Sequence, residues 1–149
     1  MKERLDYSKV APEAMKAMIG LEKYVAGTKL DKTIFELVKI RASQINKCAY
    51  CIDMHTKDAR KTGETEQRLY ALSAWRETPF YTEKERAALA WTEALTLISE
   101  NEITDDLYQN LSAHFDEEER VALTMAIVAI NGWNRLAISF KTQAGTYEP

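Results

Sequence analysis

The sequence predicts an all-α protein. Proline and glycine are sparse, three and five in 149 residues, and most fall between segments whose apolar residues recur every three or four positions. No segment reads as a convincing strand, and helix-start residues recur ahead of the periodic stretches. About seven helices are expected, forming a multi-helix bundle across a single domain, 1–149.

The first helix opens at Pro12, a residue suited to a first helical position, runs to about Ala26, and ends at Gly27. Asp31 caps the second, which reaches about Asn46 and carries an apolar stripe of Ile34, Val38, Ala42 and Ile45. The third covers about Ala49 to Thr62 and stops at Gly63. The fourth lies near Glu66 to Arg76, before Thr78-Pro79. Thr82 with Glu85 has capping-box spacing and opens a fifth helix to about Ser99. Thr104, followed by Asp105 and Asp106, starts the sixth, its acidic first turn matching the helix dipole. Asp116 with Glu119 repeats the capping pattern for the last helix. From Val121 to Ile130 that helix is apolar nearly all round, so it should form the buried centre. Gly132 within it costs up to about 1 kcal/mol relative to Ala, which close approach of another helix would explain. Trp75, Trp91 and Trp133 lie on apolar stripes and are expected in the core.

Composition narrows the function. Hydrophobic residues at 46% supply a core, and a net charge of −3 provides no basic field for nucleic acid. The charged N-terminus, MKERLDYSK, is unlike a signal peptide. The longest apolar run, Val121–Ile130, is about half of a bilayer crossing. A cytoplasmic protein without a membrane partner is therefore expected. The two cysteines stand three apart, which points to chemistry or metal binding rather than to a secreted disulfide scaffold.

Cys48 lies at the start of the third helix, Cys51 in its first turn and His55 one turn on. Spacings of three and four bring all three side chains to one helical face. A free thiol has a pKa near 8.5, so only about 3% is ionised at pH 7. The unpaired N–H groups at a helix N-terminus stabilise the anion, and an imidazole can accept the proton. Lowering the pKa by two units is worth about 2.7 kcal/mol. Once one sulfur is oxidised to sulfenic acid, the second closes a disulfide. The helix dipole favours Cys48 as the attacking sulfur, whereas proximity to His55 favours Cys51.

Other uses of the same residues remain open. CxxCxxxH offers zinc three ligands, but the other histidine, His114, lies in a distant helix beside Phe115, where it suits a C-terminal dipole partner. A redox-sensing module, or an enzyme acting on a carbonyl or lactone with His55 as base, would also use this set. No flavin or nicotinamide fingerprint is present, so no cofactor is expected and reducing equivalents would come from a thiol or another protein.

The stretch IRASQINKCAYCIDMHTKDARKTGE resembles the signature of the carboxymuconolactone decarboxylase/AhpD superfamily, and more narrowly that of AhpD-like alkylhydroperoxidase core proteins. ERAALAWTEALT and HFDEEERVALTMAIVAINGWNRLAI extend the similarity from about Leu30 to Phe140. The resemblance implies an all-helical fold assembled as a homo-oligomer, commonly a trimer or hexamer. It implies a catalytic set of Glu36, Cys48, Cys51 and His55, with Cys51 peroxidatic, Cys48 resolving, and Glu36 with His55 as proton relay. The implied activity is reduction of a hydroperoxide or protein disulfide in antioxidant defence, with a thiol or protein reductant such as a peroxiredoxin. On a helical wheel, however, Glu36 falls with Lys39 and Ser43, away from the apolar stripe, as a solvated residue would. The positional match, with a second helical face buried by oligomerisation, places it at the site instead. Two positions depart from the family: Lys47 stands where many relatives have Gly, and Tyr50 where the best-studied type has a histidine.

Overall fold

The structure is a computed structural model and describes residues 2–149. In chain order it forms α1 (Tyr7–Val10), α2 (Pro12–Ala26), α3 (Lys32–Asn46), α4 (Ala49–Lys61), α5 (Glu66–Ala71), a 3-10 turn (Leu72–Glu77), α6 (Glu83–Thr96), α7 (Asp105–Ser112) and α8 (Glu117–Phe140). No strand occurs among the described residues.

The expected start signals operate as read. Asp31 accepts from the N–H groups of Thr33 and Ile34, and the capping boxes of Thr82 with Glu85 and Asp116 with Glu119 both close. Three features differ from the sequence reading. A short helix, α1, precedes Pro12, with the Asp6 carboxylate accepting from the N–H of Lys9. The fourth helix breaks after Ala71 into a 3-10 turn that contains non-helical Ala74. The fifth stops at Thr96, three residues early.

Helix α3 organises the bundle by packing against α4, α6 and α8, while α2 lies along α8. Ile34, Val38, Trp91, Leu111, Phe115, Leu123 and Ile127 fill the space between α3, α6, α7 and α8. Leu37, Ile40, Leu69, Leu72, Trp75 and Leu89 form a second cluster around the 3-10 turn. Each such side chain, fully buried, contributes about 1.5–3 kcal/mol. Of the stripe expected on α3, Ile34, Val38 and Ala42 are buried and Ile45 is partly so.

Helix α8 is the central helix, but not on every side: Val121 and Val128 are exposed, while Ala122, Leu123, Ala126, Ile127, Ala129 and Ile130 are buried. The whole helix, unlike its Val121–Ile130 run, is long and apolar enough by composition to cross a membrane; half of its apolar window is packed inside the protein. At Gly132 an added Cβ would lie 2.9 Å from the Met18 Cε of α2, the close approach expected there.

The link from α3 to α4 is very short. Lys47 takes the left-handed conformation (φ 59°, ψ 39°), and its N–H reaches the carbonyls of Ser43 and Gln44. This backbone geometry accounts physically for the glycine that the family resemblance leads one to expect at this position. Lys47 itself is exposed. A non-glycine residue in this region is strained by about 1–2 kcal/mol, partly offset by the greater unfolded freedom of glycine. Lys47→Gly should therefore stabilise the protein by up to about 1 kcal/mol, a rise in Tm of about 2–4 °C. Calorimetry showing no change or a loss would contradict this reading of the turn.

Candidate functional site

The tight turn sends α4 back along α3 and buries the start of α4 against α8. Cys48 precedes the first residue of α4, Cys51 follows one turn on, and both are free thiols buried among Ala42, Ile130 and Ala137. Their Sγ atoms lie 2.8 Å apart and share a hydrogen bond. His55, the next turn of the same face, is buried as well.

Glu36 meets this face from α3. Its Oε2 lies 3.0 Å from His55 Nδ1, and its side chain is 14% exposed. With the carboxylate accepting from Nδ1–H, the lone pair of the imidazole resides on Nε2. The solvated placement suggested by the helical wheel is thus corrected: Lys39 and Ser43, which share that face of α3, are also buried. The covering surface comes from other helices of the same chain: His55 of α4 on Glu36, Glu22 of α2 on Lys39, and Asn134 of α8 on Ser43.

A cavity of about 260 Å³ opens onto Cys51 and His55. Its walls are Tyr7, Tyr50, Met54, Trp133 and Ala137, with the buried side chain of Lys39 and with Glu22. Trp75 and Trp91 are core residues as expected, whereas Trp133 is only partly buried and serves this cavity. Cys48 lines a separate cavity with Arg4, Lys47 and Lys141. A larger groove on another face of α4, bounded by Ile52, Arg60, Leu69 and Tyr70, contains neither sulfur nor imidazole.

The two sulfurs divide their protons unequally. The Cys48 thiol is lowered to about 7, first by its hydrogen bond with the Cys51 thiol; burial opposes this, and the N–H groups of Cys51 and Tyr50 and the Asn134 amide assist. The Cys51 thiol is pushed upward, first by that same bond to Cys48 and then by burial. A pair that shares one proton over so short a distance behaves as a unit, releasing its first proton readily and holding the second.

Several groups at the site carry no local sequence signal of the kind that marks Cys48, Cys51 and His55. Asn134 is fully buried, donates to Ser43 Oγ at 3.0 Å and favours the anion on both sulfurs. It and Asn131 are the buried polar residues of the most apolar helix, and amides in such a stretch are a usable signal. Asp58 lies beside Glu36 and His55, with one donor atom from each of the three within 4.8 Å of the others. Each of the three has a protein partner: Asp58 Oδ1 accepts from the Tyr147 hydroxyl at 2.7 Å, and Glu36 Oε2 pairs with His55 Nδ1. The C-terminal segment is tied to α4 there, with Lys57 Nζ on the Tyr147 carbonyl and the Gly145 N–H on Asp53.

Fold and site together define a helical protein with a buried pair of thiols near a hydrogen-bonded Glu–His pair. Comparison with known proteins supplies the family and the fold. The chain belongs to the carboxymuconolactone decarboxylase family, whose sequence profile matches residues 12–94. It is 49% identical over 146 residues to the uncharacterized protein YdfG of Bacillus subtilis, covering 98% of this chain and 99% of that one. A solved protein of unknown function from Agrobacterium tumefaciens, for which an AhpD antioxidant-defence role has been suggested, is 48% identical. It superposes with a TM-score of 0.94 over 98% of this chain and 100% of its own. The debrominase Bmp8 shares the fold at 21% identity and a TM-score of 0.81, over 93% of this chain and 74% of its own.

The acidity of the pair is directly measurable. Thiol alkylation should rise as pH increases through about 7, because the anion is the nucleophile and the lowered pKa makes it available early. Asn134→Ala should move that midpoint upward. A wild-type midpoint at the ordinary thiol value near 8.5 would contradict the arrangement.

Proposed function

We propose that the protein is a thiol peroxidase, reducing an organic hydroperoxide or a related electrophile at the expense of its own dithiol. The observation that carries this reading is the meeting of the paired sulfurs, the cavity and the Glu36–His55 relay at one point. Acidity favours Cys48 in the resting pair, but Cys51 is the sulfur that shares the cavity with His55. Transfer of the shared proton across 2.8 Å moves the charge to Cys51 without net loss.

The Cys51 thiolate attacks the terminal peroxide oxygen. An S–O bond forms, the O–O bond breaks, and the departing alkoxide takes a proton from the His55 imidazolium, which had received it from the dithiol. Sulfur is oxidised to sulfenic acid and the peroxide is reduced to an alcohol. The Cys48 thiol then attacks the Cys51 sulfenic acid, releasing water and closing the disulfide. Glu36 holds the imidazole orientation and stabilises its charged form. An external thiol or protein dithiol would restore the reduced state, and the partner that supplies it forms part of this proposal.

Single-cysteine variants test the sequence of events. Cys51→Ser should reduce hydroperoxide consumption to background. Cys48→Ser should permit one turnover and leave a sulfenic acid on Cys51 that a dimedone probe captures. His55→Ala and Glu36→Gln should each slow the first oxidation by about 10²-fold, the scale of lost acid–base assistance. Full turnover by Cys51→Ser would overturn the assignment of the attacking sulfur. Turnover surviving loss of both cysteines would transfer the chemistry to His55 and Glu36 alone.

A further inference from the structure

Lys39 is a charged residue in an unusual place. Its side chain is 4% exposed, it lies one turn after Glu36 on α3, and it forms part of the wall that holds Cys51 and His55. Burying an ammonium costs several kcal/mol unless its donors are engaged, and replacing a buried ion pair with apolar residues is often neutral or stabilising. Its partners here are limited. Nζ donates to Glu22 Oε2 of α2 at 2.6 Å and stands 4.0 Å from the Phe35 ring centroid. An ammonium has three donors, so a carboxylate and a ring face leave capacity at the cavity wall. Behind it, Trp133 Nε1 of α8 donates to the other Glu22 oxygen at 2.9 Å. The carboxylate is thereby fixed from two helices, and the lysine with it.

We infer that Lys39 is the positive pole of the reaction site, stabilising negative charge on Cys51 before attack and on the departing oxygen afterwards, with Glu22 and Trp133 as the residues that position it. The inference rests on the peroxidatic reading above. Lys39 keeps its proton throughout: it donates a hydrogen bond to the alkoxide while the O–O bond breaks, and the proton that completes the alcohol comes from His55. The remaining groups around Cys51 cannot supply this charge in the same way. Tyr7 of α1 and Tyr50 of α4 are phenols, Glu22 of α2 and Glu36 of α3 are acids, and Cys48 competes for the proton. His55 becomes cationic only after taking a proton, and α8 contributes the uncharged Trp133, Asn134 and Ala137. The field of Lys39 on Cys51 has the required sign, favouring the anion.

The test compares Lys39→Met, Lys39→Arg and the double variant Glu22→Gln/Lys39→Met. The double variant removes the charge without leaving the partly buried Glu22 carboxylate without its cation. Each is assayed for single-turnover reduction of cumene hydroperoxide, for thermal stability and, in a Cys48→Ser background, for iodoacetamide alkylation of Cys51 across pH. The two charge-deleting proteins should lose about tenfold or more in both rates near neutrality and show a higher alkylation midpoint, since one pKa unit corresponds to a factor of ten in thiolate. Lys39→Arg should restore most of the rate. A folded double variant with unchanged oxidation and an unchanged alkylation profile would overturn the role of Lys39. If Cys51→Ser is inactive while that double variant is normal, this inference alone fails; if Cys51→Ser remains active, the peroxidatic reading fails with it.

Discussion

The contact between His55 Nδ1 and the Glu36 carboxylate governs how the site works. It joins α3 to α4 across a link of two residues, sets which imidazole nitrogen carries the lone pair, and fixes the ring in the wall of the cavity that Cys51 also lines. The left-handed turn at Lys47 makes the contact possible by folding α4 back onto α3. The same return buries the sulfur pair under α8, where hydrogen bonds act in a weaker dielectric than water provides. Fold and reactivity thus share one local device.

Much of this arrangement could be read from the sequence because it is local. Cys48, Cys51 and His55 converge through helical spacing alone, and the caps at Asp31, Thr82 and Asp116 are formed by neighbouring residues. What escaped the reading depends on distant packing. Glu36 looks solvated on a wheel because a wheel assumes one buried face, whereas α3 is enclosed on several. The oligomer invoked to bury Glu36 is not needed for that burial, since its side chain is only 14% exposed within one chain, where it meets α4. Lys39 and Glu22 are separated by 17 residues and Asp58 and Tyr147 by 89, so no periodicity marks either pair. The break at Ala74 likewise carries no breaker residue to announce it.

Scaffold and chemistry are separable in this group of proteins. The fold that this chain shares with the protein of unknown function from Agrobacterium tumefaciens also carries a debrominase, so architecture cannot assign the reaction. The chemistry of this chain is set by the dithiol, the way its protons are shared and the cavity wall. Those features are mutually consistent: burial raises the cost of a lone thiolate, and the second thiol, the Asn134 amide and the α4 N-terminus counter it. Two sulfurs in contact then do what one cannot, holding a single negative charge near neutrality while the second thiol keeps its proton.

That claim can be examined without any substrate. Ultraviolet titration of the reduced protein counts thiolates directly as pH rises. One thiolate per chain should appear with a midpoint of about 7, and the second should stay protonated well beyond the ordinary thiol range. Two thiolates titrating together near 8.5 would show that the sulfurs do not share a proton, and the mechanism built on that sharing would not stand.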